Sequence, residues 1–197
     1  RRIWNPSIFQ GAFKRTHYFE GWYNKCVSAD GSCVTAMIPG ISIDRKDRYA
    51  FIQFIDGITS RTEFLKYDFG DFSFSRHSYD ISIGKNTFSS DGMHLEIDRP
   101  EISVHGDIRT SSIVPFSSSL LRPGIMGWYS FVPFMQCYHG LVSMDHRIDG
   151  ILSIDDRSID FSGGKGYMEK DWGSSCPRAY IWIQCNNFTA PALSVMS

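Results

Sequence analysis

The sequence predicts an all-β fold, an antiparallel barrel, on three observations. Apolar and polar residues alternate with period two wherever a period can be read. Paired turn residues interrupt that alternation about every ten residues, the rhythm of a barrel or sandwich. No window of about 11 or more residues shows an i, i+3, i+4, i+7 apolar face with caps at both ends.

Each element follows in chain order. Tyr18-Phe19-Glu20-Gly21-Trp22-Tyr23 reads as a strand with Tyr18, Glu20 and Trp22 on one face and Phe19 and Tyr23 on the other. If Glu20 points into a barrel, so do Tyr18 and Trp22. Asp30-Gly31 and Asp56-Gly57 mark turns, because both residue types tolerate the positive φ that tight hairpins require. Tyr79-Asp-Ile-Ser-Ile is the next alternating run, followed by the Asp91-Gly92 turn, Met93-His-Leu-Glu-Ile-Asp, the Asp98-Arg99-Pro100 turn and Ile102-Ser-Val-His. Thr110 to Gly127 is rich in serine with two prolines and two glycines and reads as one long connection, of the kind that is usually functional or crosses between domains. Ile159-Asp-Phe-Ser resumes the alternation. After the Gly163-Gly164 turn, Tyr167, Glu169 and Asp171 share one face of a strand while Met168, Lys170 and Trp172 share the other. Ser174-Ser175-Cys176-Pro177 reads as a link and Tyr180 to Cys185 as a further strand whose partners the sequence does not show; an unpaired strand leaves open backbone groups. The expected organisation is therefore a barrel over 1–173, then a link and the first strand of a truncated second β unit over 174–197.

Composition removes several classes. Lys+Arg number 20 against Asp+Glu 21, with no basic run, so there is no electrostatic footprint for nucleic acid. No apolar stretch reaches the roughly 18 residues of a membrane span. The five cysteines (26, 33, 137, 176, 185) are odd in number and lack CxxC spacing, and the six histidines show no HxH or HExxH. This favours a reducing compartment, cytoplasm or plastid, and predicts no metal. Cys26 and Cys33 flank the first turn and could face each other across it. The unusual feature is the aromatic content of 15%, more flat polarisable rings than a core of this size needs.

The rings concentrate in three clusters that also hold ionisable groups: Tyr18 to Tyr23, Phe134 to His139, and Gly163 to Gly173. A carboxyl group among rings is desolvated, its pKa rises, and it can hold a proton at neutral pH. Such a group is a general acid, and adjacent aromatic faces stabilise a cation by roughly 0.5–2 kcal/mol each. That combination suits protonation of an alkene followed by carbocation chemistry. The alternative is a carboxylate paired with a base near the barrel rim; Glu20 with Lys170 across adjacent strands is such a pair.

At these clusters the chain resembles the tocopherol cyclase family. The residues that carry the resemblance are Asn5-Pro6 with Phe9 and Gly11, Tyr18-Phe-Glu-Gly-Trp-Tyr23, Ala36-Met-Ile-Pro-Gly-Ile41 and Phe51-Ile-Gln53. They continue with Pro123-Gly-Ile-Met-Gly-Trp-Tyr129, Phe134-Met-Gln-Cys137, Gly163 to Gly173, and Trp182-Ile-Gln-Cys-Asn-Asn-Phe188. The resemblance implies a lipocalin-like (calycin) barrel, the first of two in the full-length protein. It also implies cyclisation of a prenylated benzoquinol to a chromanol without cofactor. A more distant similarity to carotenoid 1,2-hydratases falls on Glu169. On this reading Glu169 donates the proton, Asp171, His139 or Glu20 takes the excess proton away, and Trp22, Trp172 or Tyr138 shields the cation. Tyr167, Gln136 and Trp182 complete the expected binding set. The expected partner is a hydrophobic small molecule, compatible with peripheral membrane association and needing no obligate protein partner. Two other readings stay open: a non-catalytic prenyl-lipid carrier, and an isoprenoid hydratase. A carboxyl group of Glu169 tied to Lys170 would favour the carrier.

Overall fold

The computed structural model describes residues 4–133, 135–176, 178–179, 181–186, 188 and 193–196. Phe134, Pro177, Tyr180 and Asn187, named above, lie outside the described residues. The strands are β1 (Tyr18–Val27), β2 (Val34–Ile43), β3 (Arg48–Asp56), β4 (Thr62–Asp68), β5 (Phe72–Phe74), β6 (Asp80–Ile83), β7 (Asn86–Ser89), β8 (Gly92–Arg99), β9 (Ile102–Val114), β10 (Cys137–Ile154), β11 (Arg157–Asp160) and β12 (Gly164–Gly173), with a short pair β13 (Gln184–Cys185) and β14 (Val195–Met196). The first twelve form one antiparallel sheet in the order β4-β3-β2-β1-β12-β10-β9-β8-β7-β6-β5, with β11 on β10. The two edge strands, β4 and β5, are consecutive in the chain and joined by the single turn Phe69–Asp71, so the sheet curls into a nearly closed barrel. The all-β antiparallel barrel predicted from the alternation is the fold observed.

Alternation decides the inner face. On β1, Tyr18, Glu20, Trp22, Asn24 and Cys26 are buried and each intervening residue is less so; Ala50, Ile52 and Phe54 do the same on β3. The interior is filled by side chains: Trp22, Phe54, Phe88, Phe161 and a layer of isoleucines are completely enclosed. A void of about 10 Å³ beside Cys26, Met93, Ile108 and Met168 holds at most one water. The predicted turns all fall at strand ends, with Gly31, Gly92 and Gly163 at positive φ.

Two expectations are corrected. Thr110 to Val114 are not part of the connection but extend β9, laddered to Asp145–Ile148 of β10. Their side chains are mostly exposed and largely polar, so they carry no alternation that a sequence could show. Cys33 faces Ser28, not Cys26, whose ladder partner is Thr35, and all five cysteines are free thiols.

β12 departs from the alternating pattern: Gly166 through Lys170 are buried without interruption. Its inner face packs on the core, and its outer face is covered by the segment after Gly173. There Trp182 donates to Glu169, Gln184 accepts from Lys25, Asn186 donates to Gly166 and Asp145, and Ser194 donates to Met144. Among the described residues of the strand predicted in this segment, Gln184–Cys185 alone are paired, with Val195–Met196.

Gly166 also makes room for its ladder partner His146, whose ring nitrogen occupies the place a Cβ there would need. Burial pushes the His146 imidazole from its ordinary 6.5 down to about 4. Because the folded value is depressed, the unfolded chain binds more protons between those two values, and stability is lost as pH falls through that window. At 1.36 kcal/mol per unit, the loss by pH 4 is roughly 3 kcal/mol. Urea unfolding of the wild type and of His146→Gln at about pH 7 and pH 4 measures it; an equal pH dependence in both proteins would refute the assignment.

Candidate functional site

β12 lies between β1 and β10, and the ladder registers assemble a polar cluster on the outer face of these three strands. Glu169 is flanked by Tyr23 of β1 and Leu141 of β10, and Asp171 by Gly21 and His139. The Glu169 carboxyl group, 7% exposed, accepts a 2.5 Å hydrogen bond from the Tyr167 hydroxyl and a 3.1 Å bond from Trp182 Nε1, both on Oε2. His139 Nδ1 lies 2.6 Å from Asp171 Oδ1. Its Nε2 stands 3.6 Å from Glu169 Oε2 and has no hydrogen-bond partner among the described residues. Asp171 is half-exposed, so the row Asp171, His139, Glu169 runs from solvent to a closed site.

The electrostatics follow from this gradient. Burial pushes the Glu169 carboxyl above its ordinary 4.5, and the opposing effects of His139, Tyr167 and Trp182 do not cancel it. Burial pulls His139 down, but the hydrogen bond and charge of Asp171 and the charge of Glu169 outweigh it, so its net shift is upward. Tyr23 is pushed up to about 12 by burial and then by Glu169. Burial and the Glu169 charge drive Tyr167 upward too, so its phenol remains a donor. The ligating atoms of His139, Glu169 and Asp171 lie within 4.8 Å of one another. Nδ1 of the histidine and one oxygen of each carboxylate are already engaged, which suits passing a proton along the row better than an open set of metal ligands.

The rings at Glu169 are Tyr23, Tyr167 and Trp182, in mutual edge-to-face contact with centroids 5.6–6.5 Å apart. Tyr23 is not among the sequence candidates. The alternation puts it outside, and only the register Tyr23↔Glu169 shows that outside is where the carboxyl group lies.

Glu20, Trp22 and Trp172 belong to a different assembly on the inner side of the same strands. Lys170 Nζ is 2.5 Å from Glu20 Oε1, both side chains being fully enclosed, and it sits over the Trp22 and Trp172 rings at 4.8 and 4.9 Å. The Glu20–Lys170 pair anticipated across adjacent strands is therefore present, and the cation on these two indoles is Lys170. Glu20 also accepts from the backbone of Gln10 and Gly11 and from Tyr18, while Lys170 donates to the Ile8 carbonyl and Trp22 to that of Ser7. This inner assembly pins residues 7–11 to the barrel. Tyr138 stacks on Trp172 at 5.7 Å and donates to the Val132 carbonyl. The Gln136 carbonyl receives the amides of Ser174 and Ser175, and its side chain is exposed. Of the ten candidates, the structure thus brings Glu169, Asp171, His139, Tyr167 and Trp182 together and places Glu20, Trp22, Trp172, Tyr138 and Gln136 elsewhere.

Comparison with known proteins bears on the same part of the chain. Residues 103–197 match the model of a family described as tocopherol cyclase-like. A chloroplastic tocopherol cyclase of Zea mays is 32% identical over 62 residues, covering 32% of this chain and 13% of that one. A protein of Oryza sativa subsp. japonica described as a probable chloroplastic tocopherol cyclase is 30% identical over 63 residues, with the same coverage. The matched stretch is thus a small part of either plant protein. A crystal structure of a Nitrosomonas europaea protein described as AttH superposes with a TM-score of 0.50 at 12% identity, over 84% of this chain and 56% of that one; this likeness is one of fold. The stretch that matches the tocopherol cyclase-like family, residues 103–197, includes β10, β12 and all of the residues clustered with Glu169 except Tyr23.

Proposed function

We propose that the chain carries the acid site of an intramolecular cyclase that closes a prenylated benzoquinol to a chromanol. The observation that supports this most directly is the buried Glu169 carboxyl group, enclosed by three aromatic rings, with Nε2 of His139 3.6 Å away and that ring's Nδ1 bonded to the half-exposed Asp171. It is not paired with Lys170, which is spent on Glu20 across the sheet.

In the proposed reaction the protonated Glu169 gives its proton to the prenyl double bond nearest the quinol ring, leaving a tertiary cation on the substrate. Tyr23, Tyr167 and Trp182 surround the carboxyl group, and any ring that turns its face to the cation would contribute roughly 0.5–2 kcal/mol. The phenolic oxygen attacks the cation, a C–O bond forms, and the phenol loses its proton to the Glu169 carboxylate, directly or through His139. The proton donated is recovered, the sum is an isomerisation, and no oxidant or reductant enters. Asp171 holds His139 in the tautomer and orientation that turn Nε2 toward Glu169.

The test is product analysis. Incubation with a prenylated benzoquinol is expected to yield an isomer of unchanged mass, with shifted retention and one phenolic hydroxyl fewer. A product heavier by one water would identify a hydratase instead. Quinol bound and returned unchanged would identify a carrier.

A further inference from the structure

We propose that a second cavity, of about 370 Å³, holds the hydrocarbon tail of the molecule whose head group reacts at Glu169. It opens between residues 4–7, the end of β9, the 115–124 connection and the start of β10. Trp4, Tyr79, Ile113, Pro115, Phe116 and Leu141 supply its apolar wall, and among the described residues no charged side chain lines it. A larger cleft of about 540 Å³ near the Asp30 turn sets Asp30, Asp56, Arg157 and Asp160 among Ile58 and Ile159, so a hydrocarbon there would lie against charged groups. The apolar cavity is within the usual 300–1,000 Å³ of small-molecule sites.

Its position identifies the occupant. Leu141, in its wall, is the ladder partner of Glu169. Pro6, Pro123 and Gly124 line both this cavity and a narrow space of about 20 Å³ that reaches His139, Tyr138 and Trp172. Met126 borders that neck, with its sulfur against the His139 amide, and an unbranched thioether can move aside for a chain. Of the residues clustered with Glu169, His139 alone lines the neck, so a molecule with its polar head at His139 would run its apolar tail past Pro6, Pro123 and Gly124 into the cavity. The Glu20–Lys170 pair holds the backbone of Ile8 and Gly11, directly after Pro6 in the neck's wall. The identity of the head group rests on the cyclase reading; the tail cavity does not require turnover.

Gly124 provides the test. A Cβ built there meets nothing within 4 Å, and its φ is not in the left-handed region, so a large side chain enters open space at the junction without backbone strain. Binding of a twenty-carbon prenyl alcohol and of its five-carbon analogue is followed by tryptophan fluorescence in the wild type and in Gly124→Phe. The expected result is that the wild type prefers the long alcohol and that Gly124→Phe weakens its binding at least tenfold. Unchanged affinity in the variant, or no preference for the long alcohol in the wild type, overturns the proposal. If Gly124→Phe melts early, Ile113→Glu, which puts a charge into the wall from an exposed strand position, must produce the same loss or the proposal fails. Quinol turnover separates the two readings. Long-chain binding that depends on Gly124 in a protein that never makes chromanol leaves the tail cavity standing and removes the cyclase. Turnover insensitive to both tail length and Gly124→Phe does the reverse.

Discussion

Glu169→Gln is expected to lower conversion of a prenylated quinol by roughly 10²–10⁴-fold, the usual contribution of a positioned general acid. The amide has nearly the shape of the acid and can still accept from Tyr167 and Trp182, so fold and substrate affinity should persist while the transferable proton is lost. The pH profile supplies the sign. Burial raises the Glu169 pKa, so the active protonated form survives to higher pH than an ordinary carboxyl group near 4.5. Rate should therefore be highest on the acidic side and fall as pH rises through the raised value. Asp171→Asn removes the charge that raises His139 and should reshape this falling limb while leaving some turnover. Full activity in a soluble Glu169→Gln protein would end the acid mechanism.

Lys170→Met is expected to cost about 3–5 kcal/mol, the penalty for leaving one member of a buried ion pair uncompensated. In a chain of 197 residues this corresponds to a fall in Tm on the order of 10 °C. The pair is fully enclosed, and the Glu20 carboxylate left behind would keep, among the described residues, the Gln10 and Gly11 amides and the Tyr18 hydroxyl as its donors. The double variant Glu20→Leu with Lys170→Met should recover part of the loss, because neither charge is then buried alone. Denaturant unfolding of the two single variants and the double variant measures the coupling. A Lys170→Met cost below about 1 kcal/mol, the value of an exposed pair, would show that the assembly is not what holds residues 7–11.

The barrel is legible because its signal is local. Period two and the Asp-Gly turns depend on neighbours in sequence. They locate the strands read from Tyr18, Tyr79, Met93 and Ile102 and the one that carries Tyr167 to Asp171, but not β2, β3, β4 or β10. The same alternation puts Tyr167, Glu169 and Asp171 on one face and Lys170 and Trp172 on the other, with no reference to any distant residue. It fails where burial does not alternate. The exposed, largely polar end of β9, Thr110 to Val114, reads as a loop until Asp145–Ile148 is seen beside it.

Which face is the inside of the barrel is a different kind of question. Alternation is symmetric: it states that Glu169 and Lys170 point opposite ways, but not which of them meets the core. On most strands hydrophobicity breaks that symmetry. On β12 it does not, since Tyr167 and Glu169 are buried as deeply under the Trp182–Asn186 segment as Met168 and Lys170 are against the core. The amino-acid sequence alone therefore suffices for the all-β barrel, its turns and the grouping of Tyr167, Glu169 and Asp171. That Lys170 neutralises Glu20 inside while Glu169 joins His139 outside emerges only in the folded chain, because the choice depends on ladder register and on a covering segment beyond the barrel's last strand.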